Sequence, residues 1–354
     1  MILDEISKIK SLDKSGMLLS IDSLDEQCTE AFSDLRGVNF PSSLSKIKNV
    51  VVAGMGGSAL GAHIIDSLFF NELKVPLEII NDYHLPAYVN KDSLVILSSY
   101  SGSTEETVSC MKEVKSRGSK VIVLTNGKDL AAYKTKNELP GYLFTPHFNT
   151  CGSPRMGLGY TLFGTILIFG KLGLIKLEET EIKKAIKTIE KYNDKFGASV
   201  NSSVNPAKQL AQQLQNKIPF YFSAGFLAGN IHTAANQLNE NAKVFAGWFL
   251  LPEINHHLME GLVFPDNLKN NLAFVFFESF LNETRIQKRF ALTKEVAKQK
   301  GISVLSYNLQ EKTKLGQAFE LLVLGSYVSF YLAMLYNINP TPIPMVDWFK
   351  KKMG

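Results

Sequence analysis

The stretch VVVAGMGGSALGAHIIDSL (Val50–Leu68) decides the fold of this 354-residue chain. It opens with an uninterrupted apolar run, which is typical of a strand buried on both faces of a parallel sheet. Glycines then allow a sharp turn, and Ser58 stands where a helix is predicted to begin. Free N–H groups and the positive end of the helix dipole meet at such a turn, so it favours the binding of an anion. Many α/β proteins carry similar glycines, and the stretch alone does not identify a phosphate site.

Composition and charge narrow the class of protein. The chain is 45% hydrophobic and 20% charged, as globular proteins are, and it is long enough for two domains. Its net charge is +5, from 38 basic and 33 acidic residues, and Lys350–Lys352 is its one run of three consecutive basic residues. This balance favours an anionic small molecule as partner over nucleic acid.

The cysteines and the apolar runs bear on compartment and membranes. Cys28, Cys110 and Cys151 show neither metal-binding nor redox spacing, and no signal peptide precedes residue 15. A cytoplasmic protein without a metal or other cofactor is therefore predicted. The apolar runs 156–170 and 321–336 are shorter than the roughly 20 residues that span a bilayer, so buried helices are expected, with no membrane partner.

Strands and helices alternate along both halves of the sequence. The predicted strands are 50–53, 77–81, 94–98, 120–125 and 142–145, then 220–223, 244–250, 272–277 and 303–307. The predicted helices are 58–68, 104–117 and 154–172, then 178–196, 228–241, 283–300 and 314–336. This alternation predicts parallel sheets covered by helices on both faces.

The second half repeats the first in outline. We expect one domain at 1–175, with amphipathic helices before residue 49, and another at 176–354. The segment Gly225–Gly229 stands where the first half has its glycine turn, but it carries no hydroxyl side chain. A duplicated domain that has lost its phosphate loop is the hypothesis that follows, with coincidence as the alternative.

The stretch LSSYSGSTEET (Leu97–Thr107) places a cluster of hydroxyl groups after a buried strand. Ser103 and Glu106 have the spacing of a capping box, which would use a single hydroxyl. Five Ser and Thr side chains within residues 98–104 exceed that need. At the carboxyl edge of a parallel sheet this loop would lie beside the Gly54 loop, and neutral donors suit a phosphate monoester. The pattern predicts a ligand site.

These stretches resemble the sugar isomerase (SIS) domain, whose phosphosugar loop reads Ser-Tyr-Ser-Gly-Asn/Ser-Thr-x-Glu-Thr. The second half carries further motifs similar to the bifunctional phosphoglucose/phosphomannose isomerase family. They are Ser153-Pro154-Arg155, Asn239-Glu240-Asn241-Ala242-Lys243, Pro252-Glu253-Ile254-Asn255-His256-His257 and Asp347-Trp348-Phe349-Lys350. The resemblance covers roughly residues 45–354.

The resemblance implies a doubly wound α/β fold of two tandem SIS domains, each with a parallel five-stranded sheet, assembled as a homodimer. It assigns the substrate phosphate to the Gly57 backbone and to Ser58, Ser99, Ser101 and Thr104. Glu240 would move a proton between C1 and C2 of the sugar, and Arg155 would lie against the enediol oxygens. His257, supplied by the partner subunit, and Lys350 would open the ring. The implied reaction interconverts fructose 6-phosphate with glucose 6-phosphate and mannose 6-phosphate, without metal or cofactor.

These residue types suit the chemistry, because one carboxylate can remove a proton and return it to the next carbon. A fixed cation stabilises the enediolate, and histidine titrates in a range useful for ring opening. Simpler roles stay open from the residues alone. Glu240 could be a helix-end carboxylate paired with Lys243, Lys350 a solvated charge, and His63 a core residue.

Two alternative functions remain open. They are another phosphosugar isomerase of the SIS fold and a non-catalytic SIS protein that senses a phosphosugar.

The sequence departs from the family pattern at the Thr-Pro pair that relatives carry before the C-terminal lysine. Ile343-Pro344 occupies its ungapped position here, and Thr341-Pro342 comes two residues earlier. In relatives that region is associated with tolerance of both C2 epimers, so it does not support activity on mannose 6-phosphate in this chain.

Overall fold

The computed structural model describes residues 2–353. Its contacts divide the chain into two compact units. The first unit is Ser23–Lys187, and the second unit contains the described residues up to Asp22 and from Thr188 onwards. The sequence predicts a boundary after residue 175, with the N-terminal helices in the first domain. The contacts instead group the residues up to Asp22 with the second half.

Helices and strands alternate as the sequence predicts. The strands are β1 Asn49–Ala53, β2 Leu77–Ile80, β3 Ser93–Ser99, β4 Lys120–Thr125, β5 Gly141–Leu143, β6 Ile218–Ala224, β7 Gly247–Leu251, β8 Leu272–Glu278 and β9 Ser303–Asn308. The helices are α1 Ile6–Leu12, α2 Met17–Asp22, α3 Leu24–Arg36, α4 Gly57–Leu68, α5 Glu105–Arg117, α6 Lys128–Lys136, α7 Gly164–Lys171, α8 Glu179–Phe196, α9 Pro206–Leu214, α10 Ala228–Gln237, α11 Leu268–Asn271, α12 Thr284–Gln299, α13 Lys314–Leu335 and α14 Pro344–Met353.

The first unit contains a five-stranded parallel sheet with the order β2-β1-β3-β4-β5. All seven residues of β3 are buried, as an apolar run between two layers of helices requires. The strand order runs in opposite directions from β1 and β3, so these two neighbours flank the topological switch point. Ligands of open α/β sheets bind outside the carboxyl ends of the strands at such a point.

The second unit contains a parallel sheet with the order β7-β6-β8-β9. This sheet has four strands among residues 2–353, so the prediction of five strands in each sheet is wrong for the second. In the first unit, α6 and then β5 follow β4. After β9 the chain instead enters α13, a 22-residue helix, and continues to α14.

Helix α13 forms the core of the second unit. It is the one helix among residues 2–353 that is long and apolar enough to cross a membrane, and 94% of its most apolar window is buried. Its apolar side chains therefore pack against protein, and the prediction of a buried helix in this region is confirmed.

Polar contacts hold the N-terminal residues to the second unit. The Asp4 carboxylate accepts hydrogen bonds from the N–H and the hydroxyl of Ser202, at 2.8 Å and 2.6 Å. Lys208, whose side chain is fully buried, lies 3.3 Å from the same carboxylate. Farther along, the Tyr327 hydroxyl donates to the Asp22 carboxylate. A helical apolar pattern does not tell which half receives a helix, so the sequence could not assign this segment.

The predicted helix 154–172 is interrupted. A 3₁₀ turn (Pro154–Met156) and a π-helix (Gly159–Phe163) precede α7. The Gln27 side chain donates to the Met156 carbonyl at 3.0 Å and accepts from the Gly159 N–H at 3.1 Å. A side chain distant in sequence thus takes the backbone bonds that a continuous helix would make there.

Candidate active site

The loops that follow β1 and β3 are joined to each other in the first unit. The Ser58 hydroxyl accepts a hydrogen bond from the Tyr100 N–H at 2.8 Å, and the Ser98 hydroxyl donates to the Ser58 carbonyl at 2.8 Å. Ser58 is buried at the start of α4. It therefore fixes the relative position of the two predicted phosphate loops, in addition to the ligand role that the sequence predicts.

The loop after β3 groups the predicted hydroxyls. The oxygens of the Ser99 and Thr104 side chains lie 2.7 Å apart, and the Ser99 hydroxyl accepts from the Gly102 N–H at 3.0 Å. Gly102 has φ +76°, and a Cβ there would lie 1.8 Å from the Gly127 carbonyl oxygen, so this tight turn requires glycine. The Ser101 side chain is exposed. Neutral donors thus face the carboxyl edge of the sheet at the switch point.

The predicted capping box does not form. Helix α5 begins at Glu105 with Thr104 as its N-cap, and the Thr104 side chain makes no capping bond. Its hydroxyl contacts Ser99 instead. The first-turn N–H groups of a helix lack intrahelical partners, and here the N-cap side chain leaves them to a ligand or to water. The hydroxyl cluster therefore exceeds local capping needs, as the sequence indicates.

Arg155 lies on a turn that packs against the start of α4. A Cβ on Gly57 would lie 2.7 Å from the Arg155 backbone nitrogen and 2.8 Å from the Pro154 carbonyl carbon. Only glycine therefore lets the turn pack this closely against α4. The Asn149 amide ties the same region to the β3 loop, since it donates to Tyr100 Oη at 2.7 Å and to the Ser153 carbonyl at 3.0 Å. The Arg155 side chain is 2% exposed. A buried guanidinium thus stands in the unit that carries the hydroxyl loop.

Tyr100 remains protonated within this network. Burial raises the pKa of its phenol to about 12. At neutral pH the ring therefore contributes a neutral hydroxyl next to Asn149 and no negative charge of its own.

In the second unit, Glu240 lies on a π-helix (Leu238–Ala242) that continues α10. Single π-turns inside helices occur frequently at functional sites. Buried side chains attach this segment to α13, because Gln237 Nε2 donates to Ser326 Oγ at 3.1 Å and Asn241 Nδ2 donates to Ser329 Oγ at 3.0 Å. The backbone of Glu240 is therefore held between two anchored neighbours.

Asn239 attaches the same segment to the chain ahead of β7. Its amide nitrogen donates to the carbonyls of Ala235 and Ala246, each at 2.9 Å, and its amide oxygen accepts from the Ala246 N–H at 3.3 Å. The two asparagines of the motif, Asn239 and Asn241, thus have hydrogen-bond partners on two sides of the segment. A carboxylate on such a segment has a defined position, which a proton-transfer group needs.

His257 follows a 3₁₀ turn (Glu253–His256) after β7. Its Nε2 lies 2.7 Å from Glu253 Oε2, and its side chain is 52% exposed. Asn255 anchors the turn to α12, since it donates to Thr293 Oγ1 at 2.8 Å and accepts from Arg289 at 3.1 Å. The imidazole therefore has a carboxylate that can orient it on a fixed turn.

Lys350 lies on α14, so the segment predicted as a tail is a helix. In the single chain every described residue of this helix is exposed. Trp348 and Phe349 are 59% and 58% exposed. Pro340, four residues before α14, accepts a hydrogen bond from Lys243 at 2.9 Å. The chain leading to Lys350 is thus attached to the end of the segment that carries Glu240.

The second unit has no equivalent of the hydroxyl loop. Residues 100–104 join β3 to α5, and residues 279–283 join β8 to α12, so the two loops have the same length. By position, Glu278, Phe280 and Glu283 replace Ser99, Ser101 and Thr104. Carboxylates repel a phosphate, and an aromatic ring offers it no donor. This loop agrees with the hypothesis of a degenerate duplicate.

The predicted residues fall into two groups. Gly57, Ser58, Ser99, Ser101, Thr104 and Arg155 lie in the first unit, whereas Glu240, His257 and Lys350 lie in the second. The structure gives a contact to two further residues of the quoted motifs, since Glu253 contacts His257 and Lys243 contacts backbone carbonyls. The i,i+4 spacing of Glu253 and His257 is a sequence signal for their pairing, but the carbonyl contacts of Lys243 have none. Among residues 2–353 no group of three or more His, Cys, Asp or Glu side chains could hold a metal ion.

Comparison with protein families identifies two regions. Residues 43–137 match the SIS domain family. Residues 203–353 match the family described as the bacterial phospho-glucose isomerase C-terminal SIS domain. The two matches fall on the two parallel sheets, so both halves of the chain are SIS domains.

Curated relatives and solved structures agree with these matches. A bifunctional phosphoglucose/phosphomannose isomerase from Caldicellulosiruptor bescii is 31% identical over 96% of this chain and 99% of its own length. One from Aquifex aeolicus is 27% identical over 88% and 92%. A hypothetical protein from Thermus thermophilus has a TM-score of 0.74 at 17% identity, over 96% of this chain and 90% of its own. A glucose-6-phosphate isomerase like protein from the same organism has a TM-score of 0.60 at 16% identity, over 99% and 98%. These structural likenesses show the fold.

Proposed function

The chain belongs to the bifunctional phosphoglucose/phosphomannose isomerase family, and we therefore propose that it interconverts fructose 6-phosphate with glucose 6-phosphate and mannose 6-phosphate. The observation that carries the proposal is the hydroxyl loop after β3, with its uncapped helix N-terminus at the switch point of the first sheet. Such donors hold a phosphate monoester and still release it. The loop after β8 has carboxylates at the same positions, so the proposal assigns the phosphate to the first unit alone.

Glu240 is proposed as the base that moves the proton. It would take a proton from C1 of open-chain fructose 6-phosphate, which leaves a cis-enediolate with its charge on O2. A proton then moves from the O1 hydroxyl to O2, and Glu240 returns a proton to C2 to give the aldose. Delivery to one face of C2 gives the glucose epimer, and delivery to the other face gives the mannose epimer. The anchors at Gln237 and Asn241 support this role, because they limit the movement of the carboxylate.

Arg155, His257 and Lys350 complete the proposed chemistry. The Arg155 guanidinium would stabilise charge on the enediolate oxygens. His257 and Lys350 would exchange protons with the ring oxygen and the anomeric hydroxyl during ring opening. The 2.7 Å contact with Glu253 supports the role of His257, because a carboxylate on one ring nitrogen fixes the orientation of the imidazole.

A homodimer in which His257 enters the partner's site is part of the proposal. His257 and the α14 residues are exposed in a single chain, which leaves them accessible to a second copy. We also propose a cytoplasmic location, in agreement with three free cysteines.

Purified protein is expected to convert fructose 6-phosphate in the presence of EDTA. Glucose 6-phosphate formation is followed through NADP reduction by glucose-6-phosphate dehydrogenase. Mannose 6-phosphate, supplied alone, should give the same signal, because its conversion passes through fructose 6-phosphate. The Glu240→Gln protein from the same host serves as the control for contaminating isomerase. No turnover, or loss of activity in EDTA with recovery in zinc, would contradict the proposal.

Mixing two inactive variants is expected to restore activity if His257 crosses to the partner. After subunit exchange between the Glu240→Gln and His257→Ala proteins, each heterodimer contains one site with both residues intact and one with neither. For equal amounts and free exchange, about a quarter of all sites regain both groups. Activity is measured before and after exchange, and exchange is verified with differently tagged chains. Verified exchange without recovered activity would place both residues in the site of one chain.

A further inference from the structure

Lys243 contacts two backbone segments that lead to proposed catalytic residues. It follows the π-helix and adopts the left-handed conformation, with φ 55° and ψ 32°. Its ammonium group donates to the carbonyl oxygens of Glu240 at 2.8 Å, Asn241 at 3.2 Å and Pro340 at 2.9 Å. An ammonium group has three N–H donors, which matches these three acceptors.

The three acceptors explain why a lysine suits this position. The carbonyls of Glu240 and Asn241 belong to the last turn of the helical segment, where carbonyl groups lack intrahelical partners and carry partial negative charge. Pro340 lies in the segment that leads from α13 to α14. One cation thus neutralises the end of the Glu240 segment and attaches it to the chain that carries Lys350.

The attachment made by Lys243 differs from those of the other anchors of the segment. Gln237 and Asn241 fix the π-helix to α13, and Asn239 fixes it to the residues before β7. Those side chains hold the Glu240 segment itself. The bond to Pro340 adds the segment ahead of α14, so one side chain connects the Glu240 segment with the chain that leads to Lys350.

We propose that Lys243 is a positioning residue that sets the geometry of Glu240 relative to the segment leading to Lys350. This inference rests on the proposed function of Glu240 and Lys350. Lys243 contacts backbone carbonyls and needs no contact with the substrate. Because the phosphate is assigned to the first unit, loss of the ammonium group should affect the rate of the chemical steps and leave phosphate binding intact.

The Lys243→Met variant is expected to lower kcat about 10–100-fold, the size of effect that a displacement of roughly 1 Å at reacting groups produces, with KM within about twofold of wild type. Lys243→Gly relieves the left-handed backbone yet lacks the ammonium, so it should lose as much activity as Lys243→Met. Lys243→Arg keeps a cation with N–H donors and should fall between wild type and Met. Lys217→Met is the matched control, since Lys217 donates to the Asn270 carbonyl at 2.9 Å away from these segments; its kcat should be unchanged.

Initial-rate kinetics and thermal unfolding of the four variants and wild type decide the matter. Kcat values in the order wild type, Arg, then Met and Gly support the inference. Wild-type kcat in Lys243→Gly overturns it, because the position would then need only a permissive backbone. If Lys243→Met does not fold, the comparison of Arg with Gly still decides. Wild-type kcat in the Lys243 variants with an inactive Glu240→Gln protein rejects this inference alone, whereas full activity of Glu240→Gln rejects the proposed function itself.

Discussion

Glu240→Gln is expected to lower kcat for fructose 6-phosphate by about 10²–10⁴-fold, the range that one positioned acid–base group supplies. Glutamine keeps the shape of the side chain, but its amide does not take up a proton from C1. The anchors on either side of Glu240 involve Gln237 and Asn241, so the segment should retain its structure. Initial rates in the coupled assay give kcat, and KM should change little because the phosphate contacts are untouched.

The control for this variant is Glu260→Gln, which removes an exposed carboxylate from the same unit. It should leave kcat unchanged. The loss in Glu240→Gln should also be the same for cyclic sugar and for an open-chain substrate mimic, since proton transfer follows ring opening. A Glu240→Gln protein with more than about a tenth of wild-type kcat would show that another group is the base.

Removal of the two phosphate-loop hydroxyls is the second large effect. The double variant Ser101→Ala/Thr104→Ala should raise KM for fructose 6-phosphate by about a hundredfold or more, because each hydrogen bond to a charged group is worth about 1.5–3 kcal/mol. These two positions are preferable to Ser58 and Ser99. The Ser58 hydroxyl accepts from Tyr100 N–H and that of Ser99 from Gly102 N–H, so their loss would also alter the fold.

The fold should survive the double substitution, because Ser101 is exposed and Thr104 provides no helix cap. Ser116→Ala, at the far end of α5, is the control and should leave KM unchanged. Binding of an unreactive phosphosugar analogue, measured as competitive inhibition, should weaken by the same factor as KM rises. Unaltered inhibition in the double variant would mean that the phosphate binds elsewhere.

Much of the fold could be predicted because buried strands have a strong local signal. Strand β4 has the predicted bounds, and β1, β3 and β8 differ from theirs by one residue or at most one at each end. Each contains a continuous apolar run, and a Gly, Ser or Asn follows that run within two residues. Such runs are buried between helix layers, so their burial does not depend on details of distant contacts.

Features that depend on distant contacts were not predictable. The break ahead of α7 arises from the Gln27 side chain, which bonds the backbone of Met156 and Gly159. The attachment of the N-terminal residues arises from Asp4 and Lys208, about 200 positions apart. No local pattern encodes either of these. The fifth strand of the second sheet was implied by the family resemblance alone, whereas the local pattern predicts four strands there and a helix at 314–336 after the last of them, as the structure has it.

Some residues of the candidate site could likewise be predicted from the sequence, and others could not. The hydroxyl loop is visible in the sequence, because five Ser and Thr side chains in a short segment exceed what a helix cap uses. Glu240 is different, since a lone carboxylate among polar residues is indistinguishable from a solvated one, and only the resemblance selected it. The contact of Lys243 with the Pro340 carbonyl joins residues almost 100 positions apart and could be found only in the structure.

Solvent deuterium exchange is the most direct test of the claim that Glu240 transfers a proton between C1 and C2. Wild-type protein is incubated in D₂O with fructose 6-phosphate, and the hydrogens at C1 of the ketose and C2 of the aldose are followed by proton NMR. The account predicts that wild-type protein incorporates deuterium at these carbons and that Glu240→Gln loses exchange and turnover by the same factor. Exchange and turnover at the wild-type rate in Glu240→Gln would contradict it, because another group would then remove the proton from C1.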